Sequence, residues 1–205
     1  MAANYLVYPL FKLIWIKKIV GKENFPEGGF IIAANHQSYF DFIGLYGITK
    51  RKIIFLAAEK FFYSKFWRPI VEHTDQIKVD RKGGDNRQAI ADGINILKNA
   101  GVLALFPQGT RSRTGEIEKT YTGVARLALA AKVPVVPIGI RNAFEIFPPN
   151  ARIPKMRKKL EFYIGKPLFF TDKCGKEGDA TVCRQVTNEI MLQIAELAGK
   201  KYKPE

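Results

Sequence analysis

Short runs of apolar residues that lack strict polar alternation recur along the chain. They constrain its fold more than any other feature. The runs lie at residues 28–34, 52–58, 102–106, 133–140 and 160–164. A strand that is covered on both faces needs no polar side chain at every second position, so such runs are typical of parallel sheets buried between helices. The pattern predicts a mostly parallel or mixed central sheet.

Helical patterns separate these runs. Small and apolar residues recur at the three- and four-residue intervals of one helix face at Ala89, Ile90, Gly93, Ile94 and Leu97. Two further helices are predicted over residues 122–131 and 180–198. Strands that alternate with helices predict a single α/β layered domain with helices flanking the sheet, and 205 residues suffice for its core.

The charge balance indicates an anionic partner. The chain has 33 Lys and Arg against 19 Asp and Glu, a net charge of +14. Nucleic acid, anionic lipid headgroups and an acidic carrier or phosphate substrate all fit such an excess. Because no zinc-finger, RNP or helix-turn-helix pattern is present, we expect no nucleic-acid partner. With only two Cys and two His, a disulfide scaffold and an imidazole-rich metal site are both disfavoured.

The N-terminal residues 5–20 are strongly apolar but are interrupted by Lys12, Lys17 and Lys18. A membrane span needs about 20 mostly apolar residues, so this segment is too short. It predicts an amphipathic helix at the membrane interface, with Phe11 and Trp15 at the boundary and the lysines toward anionic headgroups. The alternative is a helix that packs on the domain core. We therefore divide the chain into a membrane-interfacial segment, residues 1–20, and a main domain, residues 21–205.

The polar stretch after the first predicted strand contains His36 and Asp41. A neutral imidazole can take a proton from an alcohol, and a carboxylate on its other nitrogen fixes the tautomer and stabilises the imidazolium. If both residues were on one helix, their separation of five positions would place the side chains about 140° apart around its axis. They meet only if His36 lies in the turn and Asp41 in the opening helix. The alternative is a structural histidine in a loop, the role we favour for the isolated His73.

A second polar stretch follows the strand that ends at residue 106. Gly109 permits close backbone approach, Thr110 offers a hydroxyl, and Arg111 and Arg113 offer planar donors that match phosphate. Arg81 ends another short apolar segment. Together these residues predict a site for an alcohol anchored by its phosphate, although a surface turn with solvated arginines remains the alternative. The segment at residues 60–70 has five aromatics among three cations, and its part at residues 61–67 is predicted to line a groove for an acyl chain. The alternative is a helix whose aromatics fill the core.

These stretches resemble the glycerolipid acyltransferases, nearest the bacterial 1-acyl-sn-glycerol-3-phosphate (lysophosphatidic acid) type. NHQSYFD at residues 35–41 looks like the family's NHxSxxD block, and FPQGTRS at 106–112 looks like FPEGTRS. IKVDR at 77–81 and VPVVPIGI at 133–140 resemble the second and fourth blocks. The four occur in family order. The resemblance makes residues 21–205 an acyltransferase domain.

The resemblance implies a reaction and a set of roles. His36 is the implied base, oriented by Asp41, and the implied substrate-binding residues are Arg81, Gln108, Gly109, Thr110 and Arg111. It further implies transfer of a fatty acyl chain to lysophosphatidic acid, giving phosphatidic acid in phospholipid biosynthesis. The implied donor is acyl-CoA or acyl carrier protein, with no metal or organic cofactor. We expect a peripheral or monotopic protein at the cytoplasmic face of the cell membrane.

The chain departs from the family pattern at Gln108, where the family usually has Glu. An amide keeps hydrogen-bonding capacity but loses the charge and gains a donor. Activity should persist if the family's acid only accepts hydrogen bonds. The alternatives to lysophosphatidic acid acylation are an acyltransferase for another lysolipid and a non-catalytic lipid-binding relative.

Overall fold

The computed structural model describes residues 2–65, 68, 71, 74–80 and 85–205, with side chains from Tyr8 onward. Within them, one seven-stranded sheet has the order β1-β7-β6-β2-β5-β3-β4. The strands are β1 Ile16–Val20, β2 Phe30–Ala34, β3 Ile53–Ala58, β4 Ile77–Val79, β5 Val102–Leu105, β6 Val135–Arg141 and β7 Leu160–Ile164. The helices are α1 Ala2–Trp15, α2 Tyr39–Tyr46, α3 Lys60–Tyr63, α4 Arg87–Lys98, α5 Gly123–Ala131, α6 Ala143–Ile146 and α7 Ala180–Ala198. Short 3₁₀ turns lie at Lys22–Asn24 and Thr171–Lys173.

The sheet is mixed and mostly parallel, as predicted. Strands β6, β2, β5, β3 and β4 pair in parallel, whereas β7 is antiparallel to β6 and β1 is parallel to β7. The carboxyl ends of the five parallel strands therefore share one edge of the sheet. All five predicted apolar runs form strands, and the short edge strands β1 and β4 are additional.

Two hydrophobic layers cover the sheet, which explains the missing polar alternation. The side chains of α4, α5 and α7 pack on one face together with Ile31 and Ala33 of β2. Those of α1, α2 and α6 pack on the other face with Phe30, Ile32 and Ala34. Every side chain of β2 is thus fully buried. The predicted layered α/β domain is confirmed.

The predicted N-terminal helix ends earlier than expected. Helix α1 stops at Trp15, and residues 16–20, predicted as helix, form the edge strand β1 beside β7. Ile16 is buried while Lys17 and Lys18 are exposed, and Lys17 pairs with Glu161 of β7 at 2.9 Å. A β-branched segment with lysines suits an exposed sheet edge. The helical prediction is wrong for these five residues.

Helix α1 has one packed and one open face. Phe11 is buried, with its ring centroid 4.9 Å from that of Phe40 in α2, and Trp15 lies at the same distance from Phe40. On the other face Leu10 and Leu13 are 57% and 66% exposed. The face that contains Phe11 therefore packs on the domain core, as the alternative to an interfacial helix expected. No helix of the described residues has the length and apolar character needed to cross a bilayer.

Candidate active site

The way the chain leaves β2 and β5 predicts a crevice at the carboxyl edge of the sheet. These two strands are parallel neighbours. The helix after β2, α2, packs on one face of the sheet, and the helix after β5, α5, packs on the other. Neighbouring strands whose connections diverge in this way leave an opening between their loops, where α/β proteins commonly bind ligands. His36 lies in the first loop, and residues 106–113 form part of the second.

His36 and Asp41 meet at this edge of the sheet. His36 Nδ1 lies 2.9 Å from Asp41 Oδ2. His36 is in the turn after β2, and Asp41 is in the first turn of α2, the arrangement that their spacing required. Since the carboxylate engages Nδ1, it favours the tautomer in which Nε2 is the proton acceptor.

The carboxylate of Asp41 is held rigidly by the start of α2. It is fully buried, and its Oδ2 also accepts hydrogen bonds from the backbone N–H groups of Gln37 at 2.6 Å and Ser38 at 2.7 Å. The Ser38 hydroxyl accepts from the N–H of Phe40 at 3.1 Å, and Ser38 and Asp41 together form a capping box. One carboxylate thus caps the helix and orients the imidazole.

The imidazole is fixed from two further directions. Its ring stacks on Phe106, with centroids 3.9 Å apart and planes 11° apart. The backbone N–H of His36 donates to Gln108 Oε1 at 2.9 Å, and its carbonyl accepts from the N–H of Ser112 at 2.8 Å. The side chain stays 13% exposed, so the otherwise enclosed imidazole keeps some contact with solvent.

Gln108 joins the two loops from a buried position. Its Oε1 accepts from His36, and its Nε2 donates to the carbonyl oxygen of Glu116 at 3.4 Å. The side chain of Gln37 makes a parallel link, because its Nε2 donates to the carbonyl of Gly115 at 2.6 Å. Both functional groups of the Gln108 amide are therefore engaged by backbone atoms. Its expected contact with substrate stays a prediction.

The remaining predicted residues of the second loop are Gly109, Thr110 and Arg111. Gly109 has a φ of +70°, and a Cβ there would lie 2.9 Å from the ring of Tyr121, so both conformation and space favour glycine. Thr110 is exposed. The Arg111 guanidinium carbon lies 3.8 Å from the ring centroid of Tyr39, the first residue of α2. This stacking holds a cation beside the helix start that carries Asp41.

Comparison with known proteins identifies the family. The sequence model of a family described as Acyltransferase matches residues 17–141, which include both loops. The chain belongs to this acyltransferase family. It is therefore an acyltransferase, with the His36–Asp41 pair and the Gln108 loop inside the matched region.

Individual relatives agree with this assignment. A 1-acyl-sn-glycerol-3-phosphate acyltransferase of Pseudomonas aeruginosa is 30% identical over 209 residues, covering 94% of this chain and 78% of the relative. The enzyme of the same name from Bacillus subtilis is 29% identical over 157 residues, covering 76% and 75%. The crystal structure of a 1-acyl-sn-glycerophosphate acyltransferase from Thermotoga maritima aligns with a TM-score of 0.74 and 22% identity, over 98% of this chain and 80% of that one. At that identity it supports the fold alone.

Some predicted residues of the acyltransferase fall outside the described part of the chain. They are Arg81, His73 and, in the aromatic segment, Phe66, Trp67, Pro69 and Ile70. The phosphate-binding role of Arg81 and the acyl groove stay predictions. Among the described residues no three His, Cys, Asp or Glu side chains are grouped as metal ligands. The expectation that the acyltransferase uses neither a metal nor an organic cofactor also stays a prediction.

Three contributors to the acyltransferase site had no assigned role from sequence. Ser38 caps α2, and its spacing from Asp41 is the S-x-x-D signal of a capping box. Phe106 supports the imidazole, a contact that no local pattern predicts. Asn35 exchanges two hydrogen bonds with the backbone of Ile140, at 2.9 and 2.7 Å, and so ties the end of β2 to β6. These contacts make the turn that carries His36 rigid.

Proposed function

We propose that this acyltransferase moves a fatty acyl chain from a thioester to the free hydroxyl of 1-acyl-glycerol-3-phosphate, producing phosphatidic acid. The observation that carries the proposal is the buried Asp41 carboxylate on Nδ1 of a partly exposed His36, at 2.9 Å. The relatives are named for 1-acyl-sn-glycerol-3-phosphate, which supports the same acceptor here.

The reaction follows from this pair. His36 Nε2 takes the proton of the acceptor hydroxyl while the hydroxyl oxygen attacks the thioester carbonyl carbon. Asp41 stabilises the imidazolium that forms, because its carboxylate accepts the Nδ1–H. The carbon–sulfur bond then breaks, and the departing thiolate takes the proton from His36. The product is an ester, and the base returns to its neutral state without a covalent acyl-enzyme.

The acceptor's phosphate is assigned to Arg111. Its guanidinium stacks on Tyr39 at 3.8 Å, so the planar face is used by the ring while the N–H groups at its edge are suited to phosphate oxygens. Thr110 next to it offers a hydroxyl, and Arg81 is the second cation that the sequence assigns. A phosphate bound here holds the glycerol hydroxyl near His36, and such positioning supplies much of the rate enhancement in bimolecular transfers.

The proposed acceptor indicates a membrane setting. Acyl-CoA or acyl carrier protein would deliver the acyl group from the aqueous side, while lysophosphatidic acid has a lipid tail. The exposed Leu10 and Leu13 of α1, with Lys12 between them, are suited to the boundary of an anionic bilayer. We propose peripheral or monotopic binding at the cytoplasmic face of the cell membrane.

The hydrogen bonds of Gln108 favour an active enzyme over a non-catalytic lipid-binding relative. Its amide accepts from the N–H of His36 and donates to the carbonyl of Glu116, so a neutral side chain satisfies both backbone groups. The turn that carries the base is therefore assembled without the family's usual acid. An acceptor with a different headgroup beyond the phosphate remains the second candidate.

The test is acyl transfer by the purified protein in detergent micelles. Lysophosphatidic acid would be offered with acyl-CoA and, separately, with acyl carrier protein, and phosphatidic acid would be measured by mass spectrometry. We expect product from wild type with at least one donor, and none above background from His36→Ala. His73→Ala serves as the matched control and should keep activity.

Each other outcome has a defined meaning. Product from lysophosphatidylcholine or another lysolipid, but none from lysophosphatidic acid, would replace the proposed acceptor. Equal product from wild type and His36→Ala would overturn the proposed base. Product from Gln108→Glu alone would show that the natural protein is disabled at that position.

A further inference from the structure

The loop between α6 and β7 contains a feature that the proposed reaction does not use. Its residues 151–159 precede β7 and lie beyond the matched family region, which ends at residue 141. Two large apolar side chains of this loop face solvent, since Ile153 is 80% exposed and Met156 is 69% exposed. We call residues 151–159 the basic loop because its cations are Arg152, Lys155, Arg157, Lys158 and Lys159.

Three hydrogen bonds fix the backbone of the basic loop on the rest of the protein. The backbone N–H of Lys155 donates to the carbonyl of Ile146 at 2.9 Å, and the Asn142 side chain donates to the carbonyl of Lys159 at 2.9 Å. The indole N–H of Trp15 donates to the carbonyl of Lys155 at 3.0 Å, which joins the loop to α1. Two large apolar side chains exposed on an ordered loop are typical of a binding surface.

The net charge of this surface is positive. The basic loop has five cations and no acid, and residues 1–22, which approach it through Trp15, likewise contain no Asp or Glu. Lys159 pairs with Glu145 at 3.7 Å. Within the described residues the other four cations of the loop have no carboxylate partner. The loop therefore presents a net positive face.

We propose that the basic loop is a second membrane-docking element, with Ile153 and Met156 inserted at the surface of an anionic bilayer and the cations on its headgroups. Alternation of large apolar side chains with cations fits a bilayer boundary, where both groups find a favourable medium. An acidic protein would leave two bulky apolar side chains without a comparable environment. The inference rests on the proposed function, in which the acceptor is a membrane lipid.

Docking through the basic loop would place His36 close to the bilayer surface. Trp15 links the basic loop to α1 and also packs on Phe40, the residue before Asp41. Phe147, at the start of the connection to the loop, lies 5.3 Å from the same ring. The docking surface and the helix that orients His36 thus share one aromatic cluster. A lysolipid could reach the base from the bilayer without leaving its surface.

The test measures binding of the full chain to sedimented vesicles of phosphatidylcholine with and without phosphatidylglycerol. Each cation near an anionic surface contributes about 1 kcal/mol, or roughly fivefold in the partition coefficient. We expect Arg157→Gln/Lys158→Gln to lower partition to anionic vesicles by about tenfold or more. Ile153→Ser/Met156→Ser should lower the binding that survives high salt, and the part that remains is assigned to Leu10 and Leu13 of α1.

The matched controls change exposed positions away from this surface. They are Lys98→Gln/Lys166→Gln for the cations and Phe169→Ser/Leu192→Ser for the apolar pair, and both should bind as wild type. The same variants are assayed for transfer in detergent, where no bilayer is needed. Loss of vesicle binding with unchanged transfer in detergent is the expected pattern.

Equal losses in variants and controls, or no loss in either, would overturn the docking assignment. A loss confined to transfer from acyl carrier protein, with vesicle binding intact, would reassign the loop to the carrier. If wild type itself transfers nothing, the proposed function fails while the vesicle result still decides the docking surface.

Discussion

The amide oxygen of Gln108 accepts a hydrogen bond from the backbone N–H of His36 at 2.9 Å, across 72 residues of sequence. The side chain at the family's usual glutamate position therefore positions His36, the proposed base, through its backbone. Since its Nε2 faces the carbonyl of Glu116, the amide matches both partners. A carboxylate would keep the first contact and place an acceptor against an acceptor in the second.

The first prediction concerns this contact. Gln108→Met leaves the partly buried N–H of His36 without its acceptor, which should cost about 1–3 kcal/mol of unfolding free energy. We also expect kcat to fall about tenfold to hundredfold, because a small displacement of the base is sufficient. Gln108→Glu keeps the acceptor for this N–H, so its kcat should stay within about tenfold of the wild-type kcat. Urea unfolding and steady-state kinetics measure both.

The control is Gln88→Met, an exposed glutamine in α4 that should change neither quantity. If Gln108→Met raises KM for the acceptor and leaves kcat and stability unchanged, Gln108 contacts the substrate and its positioning role is wrong.

The second prediction separates the two roles of Asp41. Asp41→Asn should lower kcat about hundredfold or more, since the neutral amide neither stabilises the imidazolium nor holds its tautomer. Ser38→Ala removes only the capping hydroxyl and should cost about 1 kcal/mol of stability with a small change in kcat. Steady-state kinetics and urea unfolding of both variants give the comparison. Equal kcat losses in the two would mean that helix capping, and not the carboxylate on His36, limits the rate.

The sequence predicts the sheet and the contact between His36 and Asp41 because both depend on local patterns. Apolar runs indicate strands that are buried on both faces. The spacing of His36 and Asp41 lets the two side chains meet only where a turn leads into a helix. Edge strand β1 is not predicted, because an apolar segment with lysines fits an interfacial helix as well as a sheet edge. Its pairing with β7 is a tertiary contact, and local periodicity does not encode such a contact.

The same limit applies to the contacts that refine the site. The hydrogen bond from Trp15 to the carbonyl of Lys155 spans 140 residues, and the stacking of His36 on Phe106 joins two separate loops. Neither leaves a periodic signal. The capping box of Ser38 and Asp41 is the exception, because its spacing is visible in the sequence.

The third prediction addresses the phosphate. Arg111→Lys keeps the charge but loses the planar stack on Tyr39 and the paired N–H groups, so KM for lysophosphatidic acid should rise about tenfold or more. We expect kcat to change less than KM, because the base is untouched. Arg113→Gln, an exposed arginine of the same loop, is the control and should leave KM near wild type. A larger rise for Arg113→Gln than for Arg111→Lys would move the phosphate site along the loop.

The fourth prediction distinguishes the two faces of α1. Phe11 is buried against Phe40, so Phe11→Ala should cost about 3 kcal/mol or more of unfolding free energy through the lost burial and the cavity left behind. Leu13 is mostly exposed, and Leu13→Ala should change stability by no more than about 0.5 kcal/mol. The order reverses for vesicle binding, where Leu13→Ala should be the weaker binder because its exposed side chain is the one we propose to lie at the bilayer. Urea unfolding and vesicle sedimentation of both variants give the four values. A small stability loss in Phe11→Ala would show that α1 does not pack on the domain in solution, and the interfacial role would then extend to its whole surface.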